Sequence, residues 1–467
     1  MLFTSPFFVI FFAFVFSVYW LLPQNRQRKQ FLLLASLFFY GCWDYRFTAM
    51  LLGISYADYW LGRLIEDTAD STRRRRYMWC SLAMNLGVLA FFKYCNFFIS
   101  SAIDLAALAG VHLSQPMLQI ILPVGVSFIT FQSLSYIIDV YRGEVKAVRD
   151  PLDYLLSASF FPQLVAGPIM RPAYFLPQLA DKRHLDAGQI RAMLLLFLLG
   201  FFKKTCLADN IAPYVDMVFA HPSAYSLQAS TTAVWLYAMQ IYCDFSGYTD
   251  MAIAVAGLLG FKLVTNFNRP YLSTSIQDFW RRWHMSLSFW IRDYIYISLG
   301  GRSTQRWVTY KNLMLTMLAG GLWHGAAWTF VVWGGLHGAG LVVNRDFKHR
   351  FGDVLKGRVG QALGWFLTIN FVCLVWIFFR ATDFHTAWLL VQRYLFLHDG
   401  GAQTYPLALM LVPVAALLVE WGGHRLHLMQ KIAQLSPYLY AVLYGVLWAV
   451  ALALLPLNSA PFIYFQF

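Results

Sequence analysis

Hydrophobic positions in this chain gather into long uninterrupted runs instead of alternating with polar ones. Runs near the ~20 residues that cross a bilayer as a helix cover 2–22, 77–100, 117–140, 229–259, 360–379, 405–419 and 437–457. Shorter or broken runs at 31–43, 47–65, 152–169, 192–208 and 312–343 bring the expectation to about eleven to thirteen hydrophobic segments. The pattern predicts an all-α, polytopic integral membrane protein. No loop between the runs is long enough for a separate soluble domain and no internal repeat is visible, so residues 1–467 are expected to form one membrane domain.

Composition agrees. With 59% hydrophobic, 18% aromatic and 13% charged residues, the chain has too little polar surface to cover a soluble globule of 467 residues. The first run lacks a basic leading region and is followed by LLPQNRQRKQ, not by a small-residue cleavage site, so it reads as a retained helix. The six cysteines form no C-x-x-C pair and lie mostly in or beside apolar runs, which argues for packing over disulfides or a thiolate metal site.

The net charge of +13 is spread over short loops and forms no nucleic-acid face. Basic residues fall in 25–29, 72–76, 141–149 and 422–431, whereas 101–116 and 220–229 have none. By the positive-inside rule the first group is cytoplasmic and the second faces outward, which places the amino terminus and the end NSAPFIYFQF outside as well.

Three stretches carry candidate chemistry. In 276–297, IQDFWRRWHMSLSFWIRDYIYI, a helical period gives two stripes. Ile276, Trp280, Trp283, Leu287, Trp290 and Tyr294 make one; Gln277, Arg281, His284, Ser288 and Arg292 make the other. The second reads either as an interfacial face with snorkelling arginines or as a cationic strip for phosphates. In 320–338, GGLWHGAAWTFVVWGGLHG, two histidines sit in a run (312–343) free of Asp, Glu, Lys and Arg. The small-x-x-x-small pairs Gly321/Gly325 and Gly334/Gly338 predict a broken or tightly packed helix pair, with His324 and His337 facing protein or a cavity. Each histidine reads as a structural hydrogen-bonding group or as a functional one. In 237–253, Gln240, Asp244 and Tyr248 fall on one helical face; Asp244 either orients a histidine or arginine or pairs with Lys203 or Lys204.

No G-x-S-x-G elbow, P-loop, H-E-x-x-H or cysteine nucleophile signature occurs. Membrane histidines without a carboxylate cluster suit proton transfer better than metal-assisted hydrolysis, and no metal is expected.

The chain resembles the membrane-bound O-acyltransferase family, in particular its bacterial exopolysaccharide branch. The resemblance spans most of the chain and rests on SYIIDVYRGE (135–144), FFPQLVAGPIMR (160–171), DFSGYTDMAI (244–253), NFNRPYLSTSIQDFWRRWHMSLSFWIRDYIYISLGG (266–301) and LAGGLWHGAAWTFVVWGGLHG (318–338). It implies a ring of helices around a transmembrane funnel, with re-entrant or interfacial helices, in the bacterial inner membrane. It implies His324 as the catalytic histidine and His284 as the second characteristic one, while His337 keeps its structural reading. It also implies acetyl-CoA as a cytoplasmic donor substrate with no bound cofactor. The acceptor would be an extracellular polysaccharide such as alginate or cellulose, reached through a periplasmic serine-hydrolase-like partner beside the polysaccharide synthesis and export machinery. Donor binding by Arg281, Arg292 and Ser288 at the cytoplasmic mouth is an inference from their charge and hydrogen-bonding capacity. Other branches acylate peptidoglycan, teichoic acid or lipid. Outside the family, a bis-histidine haem carrier using His324 and His337 and a proton-coupled transporter are the competing classes.

Overall fold

The computed structural model describes residues 1–112, 118–352, 357–456 and 462. Part of the expected outward loop (113–116), position 117 and nearly all of NSAPFIYFQF lie outside the described residues. The described elements are helices, joined by turns, with one isolated bridge between Tyr225 and Gln403. The all-α expectation is met. Among the described residues, Ser71–Leu108 and Arg358–Arg380 are long and apolar enough to cross a membrane, and Pro6–Leu21, Leu407–Gly423 and Pro437–Ala453 are shorter apolar helices. Several expected runs are interrupted. The run at 152–169 divides at Phe160 into Pro151–Ser159 and Phe161–Leu164, because Pro162 cannot donate to the ladder. Among the described residues of the run at 117–140, the helix Val126–Arg142 begins only after Gly125 at φ 73°.

The described residues form two compact units, Met1–Asp186 with Ala252–Val264 and Ala187–Met251 with Thr265–Phe467. In the first, helix starts are set locally: the side chains of Ser5, Asp44, Asp70 and Asp150 each accept a backbone N–H of the following turn. Tyr59, Ile65, Tyr136, Ile137 and Tyr154 form an apolar core. Beside it, buried Asp58 accepts hydrogen bonds from Ser81 Oγ at 2.5 Å and Asn85 Nδ2 at 3.0 Å, tying Tyr45–Asp67 to Ser71–Leu89.

The second unit holds the candidate site. Ala187–Phe201 widens into a π-helical turn, Phe202–Ala208, which carries Lys203 and Lys204. A Cβ built on Gly200 would lie 2.5 Å from the Gly247 carbonyl oxygen, so only glycine allows this approach to the Leu227–Leu258 helix. The expected helix pair around the two histidines is present as Arg306–His324 and Trp328–Phe351. Their backbones touch at Gly321 and Gly334: a Cβ on Gly321 would lie 3.0 Å from Gly334 Cα and nearer still to the Phe330 carbonyl oxygen.

The stretch 276–297 departs from its expected single helix. It forms Ile276–Trp280, a turn, Met285–Ile291 and a π-helical turn, Arg292–Tyr296. The break lies at His284, whose backbone is left-handed at φ 42°. A non-glycine residue held there costs of order 1–3 kcal/mol and persists only where its surroundings fix it. The two expected stripes therefore do not run the length of one helix.

Candidate active site

His324 is the last residue of its helix, and the chain leaves it in extended form at Gly325. A Cβ on Gly325 would collide with the Phe330 ring, so the turn after the histidine needs glycine. The imidazole is 3% exposed and edge-on to Trp323, Trp333 and Phe379, with ring centroids at 4.9, 5.0 and 5.2 Å. Two of these rings come from the helix pair itself, and Phe379 comes from Arg358–Arg380.

His284 belongs to the same cluster. Its ring lies 6.1 Å from Trp323, which thus touches both histidines, and 4.7 Å from Phe245 of Leu227–Leu258. It is fully buried, and its Nδ1 lies 3.1 Å from Asn266 Oδ1. That oxygen also accepts from the Ser286 backbone N–H at 3.1 Å and from Ser286 Oγ at 2.9 Å. A backbone N–H only donates, so the amide must present its oxygen here, and His284 Nδ1 must carry the proton it shares. In the neutral ring Nε2 then holds the lone pair.

His337 is fully buried and lies 4.7 Å from Trp333, which stands between it and His324. Trp280 Nε1 donates to His337 Nδ1 at 3.3 Å. The three histidines thus line one aromatic cluster.

Asp244 chooses among the partners open to it: it pairs with Lys204 Nζ at 2.6 Å, and the same ammonium meets Asp209 at 2.7 Å. Lys203 pairs with Asp250 at 2.8 Å, and the Tyr242 hydroxyl donates to Glu420. Gln240, Asp244 and Tyr248 do share one helix; Gln240 is half-buried and Tyr248 packs its ring 4.7 Å from Phe462. Asp244 precedes Phe245, so the ion triad anchors the turn that packs on His284.

The proposed cationic strip is not assembled. Arg281 and Arg292 are exposed while His284 is buried. Arg292 pairs with Asp293 at 2.5 Å and lies over Phe289, and Ser288 Oγ donates to the Trp283 carbonyl at 3.1 Å. The cause is the left-handed turn at His284, which rotates the residues after it away from the face that a continuous helix would give them. Sequence reasoning placed Trp280 only in an apolar stripe and did not single out Asn266, Trp323, Trp333 or Phe379 as site residues. Asn266 opens the NFNRPYL motif, but a lone amide in a loop carries no spacing signal. Among the described residues, no three His, Cys, Asp or Glu gather as a metal-binding group.

Comparison with known proteins adds to this geometry. Residues 146–382 match the membrane-bound O-acyltransferase family model. The chain is 40% identical over 400 residues to the probable alginate O-acetylase AlgI of Pseudomonas aeruginosa, covering 84% of this chain and 74% of that protein. It is 37% identical over 421 residues to the peptidoglycan O-acetyltransferase of Helicobacter pylori, covering 83% and 78%. A teichoic acid D-alanyltransferase of Bacillus subtilis is 31% identical over 278 residues, covering 56% and 69%. With the family model matching half of the chain and relatives of this identity covering most of it, the chain belongs to the membrane-bound O-acyltransferase family and is a membrane-bound O-acyltransferase.

Proposed function

We propose that this protein moves acetyl groups from acetyl-CoA, taken on the cytoplasmic side of a bacterial inner membrane, for O-acetylation of an extracellular polysaccharide. The observation that carries the catalytic reading is His324: a buried imidazole at a helix break, boxed by Trp323, Trp333 and Phe379 and one ring away from His284. Relatives named for alginate O-acetylation support the polysaccharide acceptor, with cellulose as the other candidate polymer. The peptidoglycan O-acetyltransferase relative favours a cell-wall glycan as the second reading.

In this mechanism the acceptor hydroxyl oxygen attacks the thioester carbonyl carbon while His324 takes its proton. The tetrahedral intermediate collapses, the C–S bond breaks, and the proton passes from His324 to the departing sulfur. His284, with its proton fixed on Nδ1 by Asn266, stays neutral and completes the wall behind Trp323. The aromatic walls exclude water, which protects the thioester from hydrolysis. Arg281, Arg292 and Ser288 hold the donor's phosphates and pantetheine at the cytoplasmic mouth, separately and not as one strip. Asp244, with Gln240 and Tyr248 on the same helix, supports the wall behind His284.

The chain acts as one polytopic domain over residues 1–467, with the funnel that the family resemblance implies. A periplasmic serine-hydrolase-like partner, working beside the synthesis and export machinery, completes transfer to the polymer. The test is His324→Ala, assayed by polymer-bound acetate in cells and by acetyl-CoA consumption in membranes. A general base contributes roughly 10²- to 10⁴-fold, so the variant is expected to reach the membrane at normal level and lose both signals. Retention of more than about a tenth of wild-type turnover would remove His324 as the base.

A further inference from the structure

Several hydrogen-bond donors in the aromatic cluster lack an acceptor. Trp333 Nε1, His337 Nε2 and Trp376 Nε1 are buried and have no hydrogen-bond partner among the described residues; of these, Trp333 packs directly on His324 and His337 packs on Trp333. For His337 the proton can be assigned. An indole N–H only donates, and Trp280 Nε1 lies 3.3 Å from His337 Nδ1, so Nδ1 must offer its lone pair. The ring is then neutral with its proton on Nε2. His284 has the opposite arrangement, proton on Nδ1 and lone pair on Nε2. The two histidines thus carry their protons on opposite ring nitrogens.

Burying an N–H without an acceptor costs about 1–3 kcal/mol, so two in one cluster call for a ligand oxygen. The Trp333 ring lies 4.7 Å from His337 and 5.0 Å from His324, so an oxygen bound beside the indole is beside both histidines. A carbonyl oxygen has two lone pairs and no proton, and the reaction brings one to this place.

We propose that Trp333 Nε1–H and His337 Nε2–H are the donors that hold the acyl carbonyl oxygen and stabilise its negative charge as the acceptor adds. The inference rests on the acyl-transfer reading above. As the hydroxyl oxygen bonds to the carbonyl carbon, its proton goes to His324 and the carbonyl π electrons move onto the oxygen facing the two N–H groups. Collapse re-forms the C=O bond, expels the thiolate and returns the proton from His324 to sulfur. His337 thus stays neutral throughout and neither donor changes its protonation.

The experiment compares His337→Phe, His337→Gln and Trp333→Phe with wild type in purified membranes, using acetyl-CoA as the donor. Phenylalanine keeps a ring in each place and removes the N–H; glutamine returns an N–H near the Nε2 position. Loss of one such donor is expected to lower kcat about 10²- to 10³-fold. KM for acetyl-CoA and the melting temperature should stay near wild type, and His337→Gln should recover at least part of the loss. Phe variants that keep a third or more of wild-type kcat would overturn the proposal. So would a loss of kcat matched by a fall in melting temperature and not relieved by glutamine, the behaviour of donors bridged by a structural water. The His324→Ala result separates the two readings: an inactive His324→Ala beside an active His337→Phe refutes the donor pair alone.

Discussion

The contact between Gly321 and Gly334 offers the sharpest test of how helix packing places His324. Adding one methyl at Gly321 puts a carbon 3.0 Å from Gly334 Cα and into the Phe330 carbonyl oxygen, both of them backbone atoms that no rotamer change can withdraw. Relief requires the two helices to separate by roughly 1 Å, and overpacking of this kind costs about 1–3 kcal/mol. His324 lies three residues along the same helix, so it moves with the displaced backbone; a misplacement of ~1 Å at a reacting group can lower turnover about 10²-fold. Gly321→Ala is therefore expected to lose far more activity than stability. The neighbouring Gly320→Ala is the control, because its Cβ would meet only Ile291 Cδ1 at 3.8 Å, an ordinary contact. It should be neutral or slightly stabilising, since alanine favours helix over glycine by up to about 1 kcal/mol. The assay is acetyl-CoA turnover in membranes together with thermal unfolding in detergent. Equal activity in the two variants would refute the argument that glycine contact sets the position of His324.

Lys204→Met leaves Asp244 and Asp209 buried without their cation and is expected to destabilise by about 3–5 kcal/mol in detergent melts, with Asp244→Asn in the same chain recovering part of it. Arg281→Ala and Arg292→Ala, if each removes a charge-assisted contact of about 1.5–3 kcal/mol, should raise the apparent constant for acetyl-CoA tenfold or more while leaving the melting temperature unchanged. Hydrogen bonds from the Arg149 guanidinium hold the Asp67 carboxyl below its usual value. The folded value lies under the unfolded one, so this contribution is present at neutral pH and fades as pH falls below the aspartate range. Melting curves of wild type and Arg149→Ala should therefore converge in acid.

The sequence by itself determined the helical class, because long apolar runs leave the backbone no other way to satisfy its hydrogen bonds in lipid. It also determined, from the pairs Gly321/Gly325 and Gly334/Gly338, a tightly packed helix pair around the histidines, since small residues at that spacing leave a groove with no side chain in it, while the contact of Gly321 with Gly334 came from the structure. Motif resemblance marked His324 and His284 without showing how two histidines forty positions apart come to one place. Only the tertiary structure decided that, by inserting Trp323 between them and by turning the chain left-handed at His284. The helical period of 276–297 gave no sign of that turn, because periodicity records which side chains are apolar and not whether the backbone between them stays helical. Partner choice was hidden for a related reason. Lys203 and Lys204 were equally plausible partners for Asp244 in the sequence, and the π-helical turn that carries both decided between them by sending Lys204 to Asp244 and Lys203 to Asp250. The proton positions on His284 and His337 depend on Asn266 and Trp280, residues 18 and 57 positions away, and are fixed only once the folded chain brings those partners within hydrogen-bonding distance.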